Sequence, residues 1–320
     1  MQLPPQIEQA RGLAREGRRR EAVELLHGCA GRGDAAASYE LAEWCREGQF
    51  VGRDFALARD LYLQAAKRGL IEGYKRYMAL LGLGVGGPRD WPTALNLLAD
   101  LAKIDSSAAE QKARIDAMSL TPEGDPVEMP RAETVSEAPS ISRFPGLFTD
   151  EECEYLARLA EPLLEPAETV EEYTGRTLRN PIRTSDTAAF PWVGENPAVH
   201  ALNRRIASAS GTDVRQGETL QVLRYREGQE YKPHTDAVPG LENQRVMTML
   251  VYLNDHFEGG ETAFPELRIT IRPKRGEGLL FRNVDPQGRP DPRLLHAGVP
   301  VRSGVKLLAS RWIRERPYAE

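Results

Sequence analysis

Laid against itself, the first third of the chain repeats every 36 residues: Ala22, Ala58 and Ala94 fall in register, as do Ala30, Ala66 and Ala102. A period of that length marks a stacked repeat, because one unit is too short to bury a core alone and must cover its neighbour's apolar face. Between those alanines sit Val23-Leu25-Leu26, Leu61-Tyr62 and Leu95-Leu98. Their spacing is that of one helix face, and the small residues beside them let helices approach closely. Gly48, Gly52, Gly84 and Pro88 mark the turns between helices.

Within this region Ala36-Ser38-Tyr39-Leu41-Ala42, followed by Gly48, Asp54, Ala58, Ala65-Ala66 and Gly69, resembles the Sel-like branch of the tetratricopeptide repeat family. The resemblance covers residues 6–115. Its spacing residues are kept best in the middle copy; in the outer copies Lys75 and Asp105 stand where an apolar residue or glycine is expected, as happens in repeats that cap a stack. A solenoid of this kind offers a surface for a protein partner or peptide, and a purely structural or dimerising role is the alternative.

The rest of the chain has another character. With 320 residues, two domains are expected. A hydrophobic share of 41% and a charged share of 28% are those of an ordinary globular protein, and a net charge of −5 speaks against nucleic acid as a partner. No apolar run approaches the roughly 20 residues of a membrane helix, and residues 1–20 are too charged for a signal peptide, so no membrane partner and a cytoplasmic location are expected. Cys29, Cys45 and Cys153 lack metal or disulfide spacing and read as reduced thiols. Pro122, Pro126, Pro130 and Pro139 alternate with acidic residues over 119–142, which reads as a linker between a repeat domain at 1–118 and a second domain at 143–320.

Thr149 and Glu152 stand at capping-box spacing ahead of Tyr155, Leu156 and Leu159, predicting a helix from about Asp150. Beyond Gly217 the pattern turns to strands, at 220–225, 246–253, 261–264, 268–271, 278–281 and 304–313. Turn pairs such as Asn254-Asp255, Gly259-Gly260, Arg275-Gly276 and Gln287-Gly288 separate them. The fold class is therefore multidomain α + β: an N-terminal helical repeat solenoid, then an antiparallel barrel or jelly roll.

Chemistry concentrates in that second half. His234-Thr235-Asp236 puts an imidazole and a carboxylate on the same face of an extended chain. Alone the triplet is weak, since five histidines give about one chance in four of such a match. His296, sixty positions on, follows Leu294-Leu295 as in a strand entering a turn and can return a third ligand. Two histidines and one carboxylate leave open positions, as a non-haem Fe(II) oxygenase needs, whereas structural zinc prefers a closed tetrahedron. Ten residues later Lys306 shares a strand face with Leu308, Ser310 and Trp312. If that face is interior, the lysine needs an anion, and a dicarboxylate supplies one.

The runs Leu220 to Tyr225 and Gly228 to Asp236, Arg245-Val246-Met247-Thr248, Tyr252-Leu253-Asn254 and Gly259 to Pro265, together with His296 and Lys306, resemble the prolyl 4-hydroxylase branch of the 2-oxoglutarate/Fe(II) dioxygenases over residues 141–318. The resemblance implies a double-stranded β-helix (jelly roll) and hydroxylation of an unactivated C–H bond coupled to decarboxylation of 2-oxoglutarate to succinate. Fe(II) is the implied metal, 2-oxoglutarate and O₂ the cosubstrates, and ascorbate an optional addition. It further implies His234, Asp236 and His296 as iron ligands, Lys306 on the distal carboxylate of 2-oxoglutarate, and Tyr225 and Thr262 as hydrogen-bond donors to it. For substrate it points to Arg183, Ser185, Glu218, Tyr231, Arg245 and Trp312. Halogenating relatives lack the carboxylate at the position of Asp236, which favours hydroxylation here. The implied substrate is a proline-containing peptide or protein. Arg183, Arg245 and Arg314 keep open a free amino or imino acid such as proline or pipecolate, whose carboxylate needs a cation. A 2-oxoglutarate- and iron-binding sensor or adaptor acting through the repeats, and a cupin-like metalloenzyme without an oxo-acid, are the other classes; Lys306 speaks against the latter.

Overall fold

A computed structural model describes residues 4–129, 131–170, 177–179 and 182–318. The chain divides into two compact units, one of Met1–Met118, Pro122–Gly124 and Val193–His200, the other of Ser119–Thr121, Asp125–Trp192 and Ala201–Glu320.

The first unit holds α1 (Pro5–Arg15), α2 (Arg19–Gly31), α3 (Ala35–Glu47), α4 (Phe55–Lys67), α5 (Ile71–Leu83), α6 (Trp91–Leu101) and α7 (Ser106–Asp116). The 36-residue period is the spacing of equivalent helices: Ala22, Ala58 and Ala94 lie on α2, α4 and α6 and are fully buried in each. Turn chemistry repeats as well. Gly48 and Gly84 end α3 and α5 in the left-handed region, at φ 69° and 76°, which a side chain would disfavour. Asp54 and Asp90 then cap α4 and α6 by accepting a backbone N–H each. The two departures from the repeat pattern answer one another: Asp105 caps α7, and Lys75 Nζ lies 2.8 Å from its carboxylate. Trp44 and Trp91 are packed, and Cys29, Cys45 and Cys153 are buried free thiols.

In the second unit α8 (Asp150–Ala160) opens with both hydrogen bonds of the expected capping box between Thr149 and Glu152. The strands are β1 (Glu133–Ser136), β2 (Ile141–Phe144), β3 (Glu165–Pro166), β4 (Glu168–Val170), β5 (Thr177–Arg179), β6 (Asp186–Phe190), β7 (Leu220–Tyr225), β8 (Tyr231–His234), β9 (Arg245–Tyr252), β10 (Phe257–Gly259), β11 (Thr262–Phe264), β12 (Ile269–Ile271), β13 (Gly278–Arg282), β14 (His296–Gly298), β15 (Val301–Gly304) and β16 (Lys306–Arg314). A major sheet runs β1-β2-β13-β9-β16-β7-β6-β3, and a minor sheet runs β12-β11-β14-β8. All their pairings are antiparallel. Leu223, Tyr225, Leu250, Leu279, Phe281 and Leu308 of the major sheet share one buried cluster with Phe264 and Ile271 of the minor sheet, as in a jelly roll. A further helix, α9 (Pro197–Ser210), begins at a proline.

The linker expectation is corrected here. β1 lies wholly within residues 119–142 and β2 begins there; β2 pairs with β13, with Ile141 fully buried. Composition misled because β1 is an edge strand whose first residues face solvent, so its sequence is polar although its backbone is paired. Gly304 to Ile313, read as one strand, is two, β15 and β16.

Candidate active site

Two facing sheets bring their residues to one cleft. On the minor sheet β8 and β14 pair so that His234 stands directly opposite His296. His296 opens its strand, after the turn Pro292–Leu294, rather than closing one as the sequence reading has it. Asp236 lies just beyond β8, in a bend that returns its carboxylate to both rings: Oδ1 is 3.6 Å from His234 Nε2 and Oδ2 is 3.5 Å from His296 Nε2. One ligand atom from each of the three residues falls within 4.8 Å of the others, and among the described residues no other group of this kind is found.

Backbone carbonyls fix which ring nitrogen faces the cleft. His234 Nδ1 lies 2.8 Å from Lys232 O and His296 Nδ1 lies 3.0 Å from Leu294 O, so each Nδ1–H donates outward and each Nε2 keeps its lone pair for a metal. Burial, reinforced by the neighbouring His296, pushes His234 down to about 4, so it is neutral at physiological pH. Burial pushes Asp236 up, but the two imidazoles and hydrogen bonds from Thr248 and Trp312 outweigh it and hold the carboxyl below its usual range. Two imidazoles, one carboxylate and an open side fit Fe(II) held by three protein ligands.

The opposite wall comes from the major sheet. Lys306, Leu308, Ser310 and Trp312 all line the cleft from β16, the face that period two assigns. Lys306 is 2% exposed, pairs in register with Tyr225 and donates to Gly260 O at 2.6 Å. Burial pushes its ammonium down to about 8, while Glu261 favours the charged form. Tyr225 and Tyr252 set their rings 5.5 and 5.7 Å from its Nζ. Burial raises the phenol of Tyr225, which stays a proton donor at any physiological pH. Thr262 is buried in the cleft wall and shares a 2.8 Å hydrogen bond with the Tyr252 hydroxyl.

Of the six residues expected to meet substrate, three line the cleft: Arg183, Tyr231 and Trp312. Tyr231 stacks on His234 with ring centroids 3.4 Å apart, and the Arg183 guanidinium lies 5.7 Å from the centre of the Tyr231 ring. The other three stand one layer back. Ser185 is buried beside the Tyr225 hydroxyl. Glu218 takes Arg245 in a two-bond pair of 2.6 and 2.9 Å and also Arg314 at 2.6 Å, while the Arg245 guanidinium lies 3.8 Å from the centre of the Trp312 ring. This corrects the gathering of Arg183, Arg245 and Arg314 around a free carboxylate: two of the three already share the carboxylate of Glu218. Tyr252 and Thr248 escaped the sequence reading as site residues. Both lie at period-two spacing with Leu250, which lines the cleft, so the signal was the parity of β9.

Residues 220–314 match the family described as the 2OG-Fe(II) oxygenase superfamily. Prolyl 4-hydroxylase 1 of Arabidopsis thaliana is 37% identical over 205 residues, spanning 58% of this chain and 72% of that protein. Probable prolyl 4-hydroxylase 10 of the same organism is 34% identical over 210 residues, again spanning 58% and 72%. Among solved structures, a viral collagen prolyl hydroxylase from Paramecium Bursaria Chlorella virus-1, in complex with 2OG, is 30% identical and covers 54% of this chain and 95% of that one, with a TM-score of 0.44. The chain therefore belongs to the prolyl 4-hydroxylase family and is a 2-oxoglutarate-dependent dioxygenase that uses Fe(II) and O₂.

Proposed function

We propose that the chain hydroxylates a prolyl residue within a peptide or protein. His234 Nε2, His296 Nε2 and Asp236 hold Fe(II), which when bound supplies the activation of O₂ coupled to oxidative decarboxylation of 2-oxoglutarate. Lys306 takes the distal carboxylate of that cosubstrate in a charge-assisted pair, and Tyr225 and Thr262 donate to it. Tyr231 and Trp312 are flat walls that orient the ring of the substrate and exclude water from the reacting carbon.

The observation that carries the peptidyl reading is the pairing of Glu218 with both Arg245 and Arg314, which takes two of the three candidate cations away from a free substrate carboxylate. A peptide presents neutral amides instead, and the named activities of the Arabidopsis relatives agree. Arg183, in the cleft wall, is what a free imino acid would use. The test is a competition: a proline-rich peptide and free L-proline or L-pipecolate are supplied together with Fe(II) and 2-oxoglutarate, and each is examined for the added mass of one oxygen. Hydroxylation of the peptide is expected. Hydroxylation confined to the free acid, or to an acyclic substrate, would overturn the peptidyl reading and leave the iron site standing.

A further inference from the structure

Behind the Asp236 carboxylate runs a short chain of buried polar groups. The Thr248 hydroxyl lies 2.6 Å from Asp236 Oδ2, and Asn283 Nδ2 lies 3.0 Å from the Thr248 oxygen. Thr248 is 1% exposed and Asn283 is 3% exposed. A hydroxyl has a single proton to give. The amide of Asn283 donates to the Thr248 oxygen, and the longer 3.4 Å approach of its own carbonyl oxygen does not compete for that proton. The Thr248 O–H is thereby directed at Asp236. The Asn283 backbone is itself anchored, since its N–H donates to Val246 O at 2.8 Å and its main-chain carbonyl accepts from Asp291 N–H at 3.1 Å. Thr248 sits on β9 of the major sheet and Asn283 follows β13, so the carboxylate between the two histidines of the minor sheet is held from the opposite sheet.

We infer that Thr248 and Asn283 are positioning residues that hold the Asp236 carboxylate in one rotation and restrict it to single-oxygen ligation of the metal. A carboxylate free to turn can offer both oxygens and occupy a coordination position that cosubstrate or O₂ requires. With Oδ2 engaged by a neutral donor, its ligation is confined while its charge is kept. The inference rests on the assignment of His234, Asp236 and His296 as the metal ligands.

The test separates the two. Metal-free full-length protein is titrated with Mn(II), a redox-inert stand-in, with free Mn(II) read by electron paramagnetic resonance. Thr248→Val, which keeps shape and removes the hydroxyl, should weaken binding by about 10- to 100-fold, the usual range for loss of a group that orients a ligand. Asn283→Ala should weaken it less, and Thr248→Ser should restore it to near the wild-type value. With Fe(II), Thr248→Val should also form more succinate per hydroxylated product, because a turning carboxylate disturbs the fit between the two half-reactions. Circular dichroism of each metal-free variant reports whether it is folded. Wild-type Mn(II) affinity in both Thr248→Val and Asn283→Ala, with binding lost in His234→Ala, would overturn this inference alone. Wild-type affinity in His234→Ala would overturn the ligand assignment beneath it.

Discussion

The two walls of the cleft differ in how far their polar groups are already satisfied. On the minor sheet, each imidazole gives its Nδ1 proton to a carbonyl and Asp236 receives Thr248 and Trp312, so the three groups are held in orientation before anything binds. On the major sheet, Lys306 is just as buried, yet the acceptor it reaches is the neutral Gly260 carbonyl, and among the described residues no carboxylate forms a salt bridge with it. One wall is preorganised; the other holds a cation that burial disfavours until an anion arrives. In the function proposed above, binding of a dicarboxylate at Lys306 would relieve that cost and so couple cosubstrate recognition to a defect of the ligand-free state.

The largest expected effect breaks the first wall. His234→Ala or His296→Ala leaves two protein ligands, too few to retain the metal, so metal content and succinate formation should both fall to background while the fold persists. Turnover in a metal-verified variant would contradict the division. Next, Lys306→Ala should raise the apparent KM for 2-oxoglutarate by a factor corresponding to about 2–5 kcal/mol, with the KM for peptide little changed. A parallel rise in both would show that the second wall is not specific to the cosubstrate.

A pH series sharpens the contrast. In the ligand-free protein Lys306 titrates near 8 instead of its ordinary 10.5. The unfolded chain then binds the proton more tightly than the folded one, so this group makes folding stability rise with pH from about 8 towards 10.5. Affinity for 2-oxoglutarate should move the other way, falling as pH rises through about 8, because binding needs the protonated form. Isothermal titration and denaturant melts over the same pH range measure the two trends; their running in the same direction would assign the titration elsewhere. The smallest effect belongs to Trp312→Phe, which keeps the ring that Arg245 covers and removes the N–H given to Asp236. About 1 kcal/mol of metal affinity should be lost.

What the sequence made legible was local or periodic. The repeat period, the Thr149 capping box, the parity of β16 and the spacing from His234 to Asp236 each depend on a few neighbours, and the structure agrees with all of them. What it hid depends on distant partners. Glu218 meets Arg245 and Arg314 across long stretches of chain, and from sequence three arginines near a site look like three available cations. Asn283 carries no pattern of its own; its importance appears only once β13 is laid beside β9. β1 was concealed because an edge strand needs backbone pairing and little hydrophobicity.

The spacing of Gly48 and Gly84 has an evolutionary reading. Each ends a helix in a conformation that other residues avoid, each is followed by an aspartate cap, and the two lie one full period apart. Gene duplication or loss that respects this period would hand a complete helix stop and start to the neighbouring copy, whereas a change of any other length would place a side chain where the turn demands none. The helical unit can therefore grow or shrink in quanta of 36 residues, and lineages that vary its length should do so in whole steps.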